Sequence, residues 1–113
     1  MRLRGSLQNL SKIKSYVGLC RKAGQLTVGY NNLEQVKRGA HLIIMDEKMG
    51  ESTQKKVIKI SQRLSVPLLI CKDLGLYCDA ECLVCCMRNA NLAKAVLQNL
   101  DENFSYFRED QNG

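Results

Sequence analysis

The groups in this 113-residue chain that could perform chemistry are six cysteines, one histidine, a pair of adjacent acids, and a set of basic and amide side chains in the first half. The cysteines are Cys20, Cys71, Cys78, Cys82, Cys85 and Cys86, and the crowding in Cys82-Leu83-Val84-Cys85-Cys86-Met87 raises the question of a metal. A zinc knuckle sets its CxxC on a turn of glycine or polar residues and needs a second pair of ligands. Here Leu83 and Val84 lie between the cysteines inside an apolar run, no second CxxC follows, and the one histidine, His41, opens a different apolar run. That is strand chemistry, so we expect no metal and no cofactor. With no secretory leader in view, the thiols are expected to stay reduced and to pack as small hydrophobic side chains.

Catalytic constellations lack essential parts. A nucleophile needs an imidazole or equivalent base beside it, and His41 reads as a residue at the edge of a buried strand. There is no GxxxxGK[ST] loop and no GxGxxG turn to cradle a nucleotide. Asp46 and Glu47 are adjacent in a polar stretch and read as solvated turn residues. The expectation is a binding protein and not an enzyme.

Charge points to the class of partner. Seventeen Lys and Arg face eleven Asp and Glu, a formal net charge of +6. Through Arg63 there are thirteen basic and four acidic residues, whereas Leu64 to Gly113 holds four basic and seven acidic. A positive surface built from the first half favours nucleic acid, because neutralising phosphates releases condensed counterions. The 45% hydrophobic and 25% charged composition suits one globular domain over 1–113, with a tail expected to fray from about residue 108. No apolar run approaches the ~20 residues that cross a bilayer, so a cytoplasmic monomer with no membrane contact is the starting expectation.

Elements that could position these groups follow from periodicity. Ser6 to Ala23 spaces Leu10, Ile13, Val17 and Cys20 as a helix, with Ser6 as cap, Gly24 beyond its end, and Lys12, Lys14, Arg21 and Lys22 on the other face. Gln25 to Val28 reads as a short strand. Asn31 is expected to cap a second helix that carries Leu33 and Val36 inward and ends in Lys37-Arg38-Gly39. His41 to Met45 reads as a central strand buried on both faces. A helix from Glu51 or Ser52 follows, with Val57, Ile60 and Leu64 inward and Lys55, Lys56, Lys59 and Arg63 largely outside. Pro67 ends that pattern, and Leu68 to Cys71 resumes as a strand in a parallel crossover. Lys72 to Glu81 reads as loop with about one helical turn at Asp73 to Leu76, and Glu81 to Met87 as a strand with Cys82, Val84 and Cys86 on one face. Asn89 or Asn91 caps a last helix with Leu92, Ala95, Val96 and Leu100 inward, after which Phe104 and Phe107 are available to dock on the core.

Polar and basic residues recur at the ends of these elements. Gly29-Tyr30-Asn31-Asn32 at a helix start offers N–H groups to a phosphate and amides to a base edge, and it serves equally as a simple cap.

The runs Gly18-Leu19-Cys20-Arg21-Lys22-Ala23-Gly24-Gln25-Leu26-Thr27-Val28-Gly29, Lys37-Arg38-Gly39-Ala40-His41-Leu42-Ile43-Ile44, Glu51-Ser52-Thr53-Gln54-Lys55-Lys56 and Val66-Pro67 together resemble the L7Ae/L30e family of ribosomal-type RNA-binding proteins, in particular its small bacterial L7Ae-like branch. The resemblance spans about residues 8 to 100. It implies an α/β fold, a three-layer α/β/α sandwich with a mixed four-stranded sheet of L30e-like type. It also implies binding to kink-turn or related bent RNA, ribosomal or otherwise noncoding, with the ribosome as a possible setting, through a Gly-x-Asn-Glu pattern and a following Lys at the start of the second helix. Gly29 and Asn31 match that pattern. Asn32 stands where the family has Glu, Gln35 or Lys37 stands in for the Lys, and the segment Lys72 to Glu81 is shorter than the family's. On this resemblance Lys22, Gln25, Gly29, Asn31, Asn32, Gln35 and Lys37 form the RNA-binding set, lysines on phosphates and amides on base edges or 2′-hydroxyls. Two other readings stand beside it: a protein-interaction adaptor on the same fold, and a thiol or metal module built on the cysteines.

Overall fold

The computed structural model describes residues 2–78 and 81–108, with side chains from residue 12 onward. The apolar run at the middle of the chain forms β2 (Leu42–Asp46), and all five of its residues are buried. A strand covered on both faces must lie inside its sheet. Accordingly β2 pairs parallel with β3 (Leu68–Cys71) on one side and antiparallel with β4 (Val84–Met87) on the other. Outside these, β1 (Leu26–Val28) pairs antiparallel with β4, and β5 (Phe104–Tyr106) pairs antiparallel with β3. The sheet is therefore mixed and five-stranded, in the order β1-β4-β2-β3-β5.

The expected four strands are corrected to five. Phe104 packs its ring 4.9 Å from that of Tyr77, and Ser105 and Tyr106 are exposed. Three residues with one buried side chain carry too little alternation to announce a strand. What recruits them is the open edge of β3: Lys72 N–H donates to the Asn103 carbonyl and Phe107 N–H to the Leu68 carbonyl, each at 2.9 Å.

Among the described residues, four α-helices cover the sheet. α1 (Arg2–Lys22) and α4 (Ala90–Leu97) share an apolar cluster with Leu42, Ile44, Leu69, Cys85 and Met87. α2 (Tyr30–Glu34) and α3 (Glu51–Leu64) contribute Leu33, Val57 and Ile60 to a second cluster with Ile43, Met45, Leu68, Val84 and Cys86. Alternate residues of each strand enter different clusters, so the two helix pairs lie on opposite faces of the sheet. Phe107 packs against the second cluster. No described helix is long and apolar enough to cross a membrane.

Several boundaries shift from expectation for local reasons. α1 begins at Arg2, so Ser6 lies within it and is not its cap; the side-chain expectation for Leu10 lies outside the described side chains. The cap of α2 is Gly29, at φ 91°, a value that suits glycine, so Asn31 sits inside the helix and is exposed. α2 ends at Glu34, which leaves Lys37, Arg38 and Gly39 in the following link. β1 excludes Gln25, β2 excludes His41, which is exposed, and α3 closes on Ser65 in a left-handed conformation. β4 starts only at Val84: Leu83 is exposed, and Cys82 joins the α1 cluster instead of sharing the face of Val84 and Cys86. Asn89 caps α4, its Oδ1 accepting from the Leu92 N–H at 2.8 Å. The expected helical turn is a 3-10 turn at Leu74–Leu76. The tail beyond residue 108 lies outside the described residues.

Asp46 is the largest departure. It is 2% exposed at the end of β2, where Oδ1 accepts from the Lys48 N–H at 2.7 Å and Oδ2 from the Leu74 N–H at 3.0 Å. Its own N–H donates to the Leu83 carbonyl at 2.8 Å. A buried carboxylate is tolerated when backbone donors satisfy it, and here they tie the 3-10 turn and the entry to β4 to the central strand. Replacing Asp46 by Ala leaves the buried Leu74 N–H without its acceptor. The expected loss is about 3 kcal/mol of unfolding free energy by urea titration; a loss within experimental error of zero would show that the carboxylate holds nothing.

Candidate functional site

Strand register divides the expected RNA-binding set into two groups. Leu26 lies opposite Met87, which lies opposite Leu42, while Val28 lies opposite Cys85, which lies opposite Ile44. Gly24 and Gln25 therefore sit at one end of the sheet and Gly29 at the other, separated by three residues of β1, about 10 Å of strand. Gln25 is occupied structurally: its Oε1 accepts from Asn89 Nδ2 at 2.8 Å, and its carbonyl accepts from the Arg88 N–H at 2.8 Å. Arg88 also donates to the Gly24 carbonyl and Thr27 Oγ1. Lys22, at the end of α1, is exposed and belongs to this end.

At the far end, Gly29, Asn31 and Asn32 remain together. Gly29 N–H donates to the Val84 carbonyl at 2.9 Å, which fastens the start of α2 to the start of β4. Asn32 Nδ2 donates to the Val28 carbonyl at 2.9 Å, so its amide is held against the strand it follows and its Oδ1 is outside that bond. Gln35 and Lys37 are exposed and flank Val36, whose carbonyl accepts from Arg63 Nη1 at 3.2 Å. They thus lie beside the C-terminal end of α3, away from the start of that helix. The expected phosphate cradle at the start of α2 is weak for a physical reason: with five residues the helix sums few peptide dipoles.

The register builds a feature the sequence did not announce. A groove of about 380 Å³ opens between the starts of α2 and α3 and the entry to β4, lined by Gly29, Tyr30, Met49, Thr53, Glu81 and Leu83 among others. Leu83 is 43% exposed there, its own carbonyl accepting from the Asp46 N–H and the next one, of Val84, from the Gly29 N–H. Lys56 Nζ lies 5.9 Å from the Tyr30 ring centroid, and Tyr30 Oη is 3.4 Å from Glu34 Oε2. Lys55, Lys56, Lys59 and Arg63 are all exposed along α3, whose start borders the groove and whose C-terminal end, with Arg63, lies away from it. The arrangement offers an aromatic and apolar floor for a flat ring, the Thr53 hydroxyl and the Glu81 carboxylate for its edge, and cations on the adjoining helix for phosphate. Tyr30 and Lys56 were not in the expected set. The aromatic inside the Gly-x-Asn pattern was the available signal for the first, and periodicity on α3 alone says nothing of a partner for the second.

The cysteines do not form a ligand set. All six are buried and none is in a disulfide, and among the described residues no group of three or more His, Cys, Asp or Glu is placed to hold a metal ion. Burial pushes the Cys71 thiol up to about 12 and Cys86 up to about 11, and it also raises Cys20 and, strongly, Cys85. Cys82 is raised first by its hydrogen bond with Cys78 and then by burial. A thiolate is the nucleophile and the ligand, and this interior disfavours it at every one of these positions.

Burial also lifts the Tyr77 phenol to about 12. These acids are neutral when protonated, so their raised folded-state values contribute stability that is complete below the unfolded values of 9.0 and 10.0 and is lost as pH rises through about 11 to 12. The urea midpoint is expected to hold steady from neutral pH to about 9 and to fall above it, and native thiols are expected to react with a disulfide reagent only as fast as the protein opens. A stoichiometric burst of thiol reaction on the folded protein would overturn this account. Compared with known proteins, the chain matches no family model and no curated protein sequence.

Proposed function

We propose that the chain is an RNA-binding protein of L7Ae/L30e type that recognises bent, kink-turn-like RNA, in a ribosomal or other noncoding RNA, with the groove at the start of α2. The carrying observation is the convergence of Gly29, Tyr30, Glu81 and Leu83 on one groove, with Asn32 two residues beyond Tyr30 on α2 and exposed cations along α3. A nucleobase unstacked at a bend has an apolar face and a polar edge, and this groove has counterparts to both. Layering supports the same reading: helices on both faces of a mixed sheet agree with a three-layer α/β/α sandwich of L30e-like type, carrying β5 as an additional edge strand.

Roles follow from chemistry. Gly29 lets the backbone turn at positive φ, Asn31 and Asn32 present amides, and Glu81 offers the charged acceptor that Asn32 lacks in the Gly-x-Asn-Glu pattern. Lys55 and Lys59 hold phosphates, with Lys37 further along the same side. Lys22 and Gln25 stand outside this site. The reading is of a binding protein that works as a monomer without a cofactor.

Fluorescence anisotropy with a labelled kink-turn hairpin, a matched straight duplex and an unrelated single strand, each over a salt series, tests the proposal. The hairpin is expected to bind at least about tenfold more tightly than the duplex, a difference of about 1.4 kcal/mol. Replacing Tyr30 and Asn32 by Ala should erase that preference. Replacing Lys55 and Lys59 by Ala should weaken all RNAs alike and reduce the log–log salt slope by about 1.5, because two lysines no longer neutralise phosphates. Absence of binding to every RNA at low salt would sink the proposal and favour a protein partner on the same surface.

A further inference from the structure

We propose that the chain holds two RNA segments at once, a bent one at the α2–α3 groove and a second, helical one on the outer face of α1. This rests on the RNA-binding reading above and adds a second site on the other side of the sheet.

Two helices carry most of the described cations, and they do so on opposite faces. α3 displays Lys55, Lys56, Lys59 and Arg63, with Glu51 at its start as its one acid. Lys55 with Lys59 and Lys59 with Arg63 are four residues apart, so like charges stack along one face and repel unless counter-charge covers them. α1 contains no acidic residue in its 21 residues, and Lys12, Lys14, Arg21 and Lys22 are exposed. Lys14, Arg21 and Lys22 stand four or fewer residues from Gly18 on the helix wheel, around its missing side chain. A Cβ built at Gly18 would meet nothing within 4 Å, and shallow hollows of about 130 and 320 Å³ open on its two sides. Lys14 and Arg21 line the first, and Lys22, Ser15 and Leu19 the second.

A stretch of helix with cations flanking a gap lets a phosphate backbone approach closely while three charges reach it. Partner chemistry follows from what the described part of α1 presents: its exposed side chains are mainly cationic. Tyr77, which lines the first hollow, is 2% exposed with its hydroxyl bonded to Asp101 and Asn103, so this face offers charge and shape to the regular backbone of double-stranded RNA. α4, which packs beside α1, adds Lys94 and no acid. Asp101 on that side accepts from Tyr77 Oη and the Asn103 N–H. Because α1 and α3 belong to clusters on opposite sides of the sheet, their outward faces point away from each other. One short straight duplex cannot cover both.

The test uses the whole chain with a donor-labelled kink-turn hairpin and an acceptor-labelled short duplex. Energy transfer between the two RNAs is expected on adding protein, with sedimentation giving one protein, one hairpin and one duplex per complex. Lys14→Glu with Arg21→Glu should lower duplex recruitment at least about tenfold while hairpin affinity stays within about twofold, as for sites far apart; circular dichroism checks that the variant is folded. Hairpin binding without transfer overturns the second site and leaves the RNA-binding reading standing. Transfer that requires two protein copies per complex overturns it as well, since self-association then does the bridging. Failure to bind the hairpin at all removes both.

Discussion

A carboxylate buried at the end of the central strand governs how this chain can assemble. Leu42, Ile43, Ile44 and Met45 are apolar on both faces, so sliding β2 by one residue would exchange one set of hydrophobic side chains for another at modest cost. Asp46 removes that freedom. Its two oxygens need the Lys48 and Leu74 N–H groups, and its own N–H needs the Leu83 carbonyl. An unsatisfied carboxylate at this depth would be prohibitive, so only one register is open to the strand. The same bonds bring the 3-10 turn and the entry to β4 to one end of the sheet, and the groove exists because of it.

That end of the sheet and the opposite end have different work. At the start of β1, Gln25, Arg88 and Asn89 are tied to one another and to the strand, and they bind the α1–β1 turn to the cap of α4. At its end, Gly29 turns the chain into a five-residue helix too short to stand alone, held by the Val84 carbonyl and by Leu33 in the core. Side chains near Gly29 are consequently presented on a firm frame while staying at the surface, which is the arrangement a recognition site needs.

The cysteines belong to the interior of this frame. Cys20, Cys71, Cys78, Cys82 and Cys85 join the cluster under α1 and α4, and Cys86 faces the other cluster. Cys20 Sγ even donates to the Gln25 carbonyl at 3.2 Å. A small, polarizable side chain fills the narrow space between a sheet and a helix where a larger one would push them apart.

Much of the scaffold was legible in local patterns. The helical spacing of Ile13, Val17 and Cys20, the stripe of Val57, Ile60 and Leu64, the doubly buried run at Leu42 and the parallel crossover to Leu68–Cys71 depend on periodicities that residues a few positions apart already express. The charge imbalance between the two halves is likewise a property of composition. Tertiary structure alone decided the rest. A fifth strand formed because β3 had an open edge, Asp46 became a buried clasp because Leu74 came within reach from 28 positions along the chain, and Gln25 was separated from Asn32 because β1 runs between them. Tyr30 and Leu83 met in one groove, and Lys56 came beside the Tyr30 ring, for the same reason. Each of these is a contact between segments distant in sequence, and no local pattern records where the partner of such a contact will be.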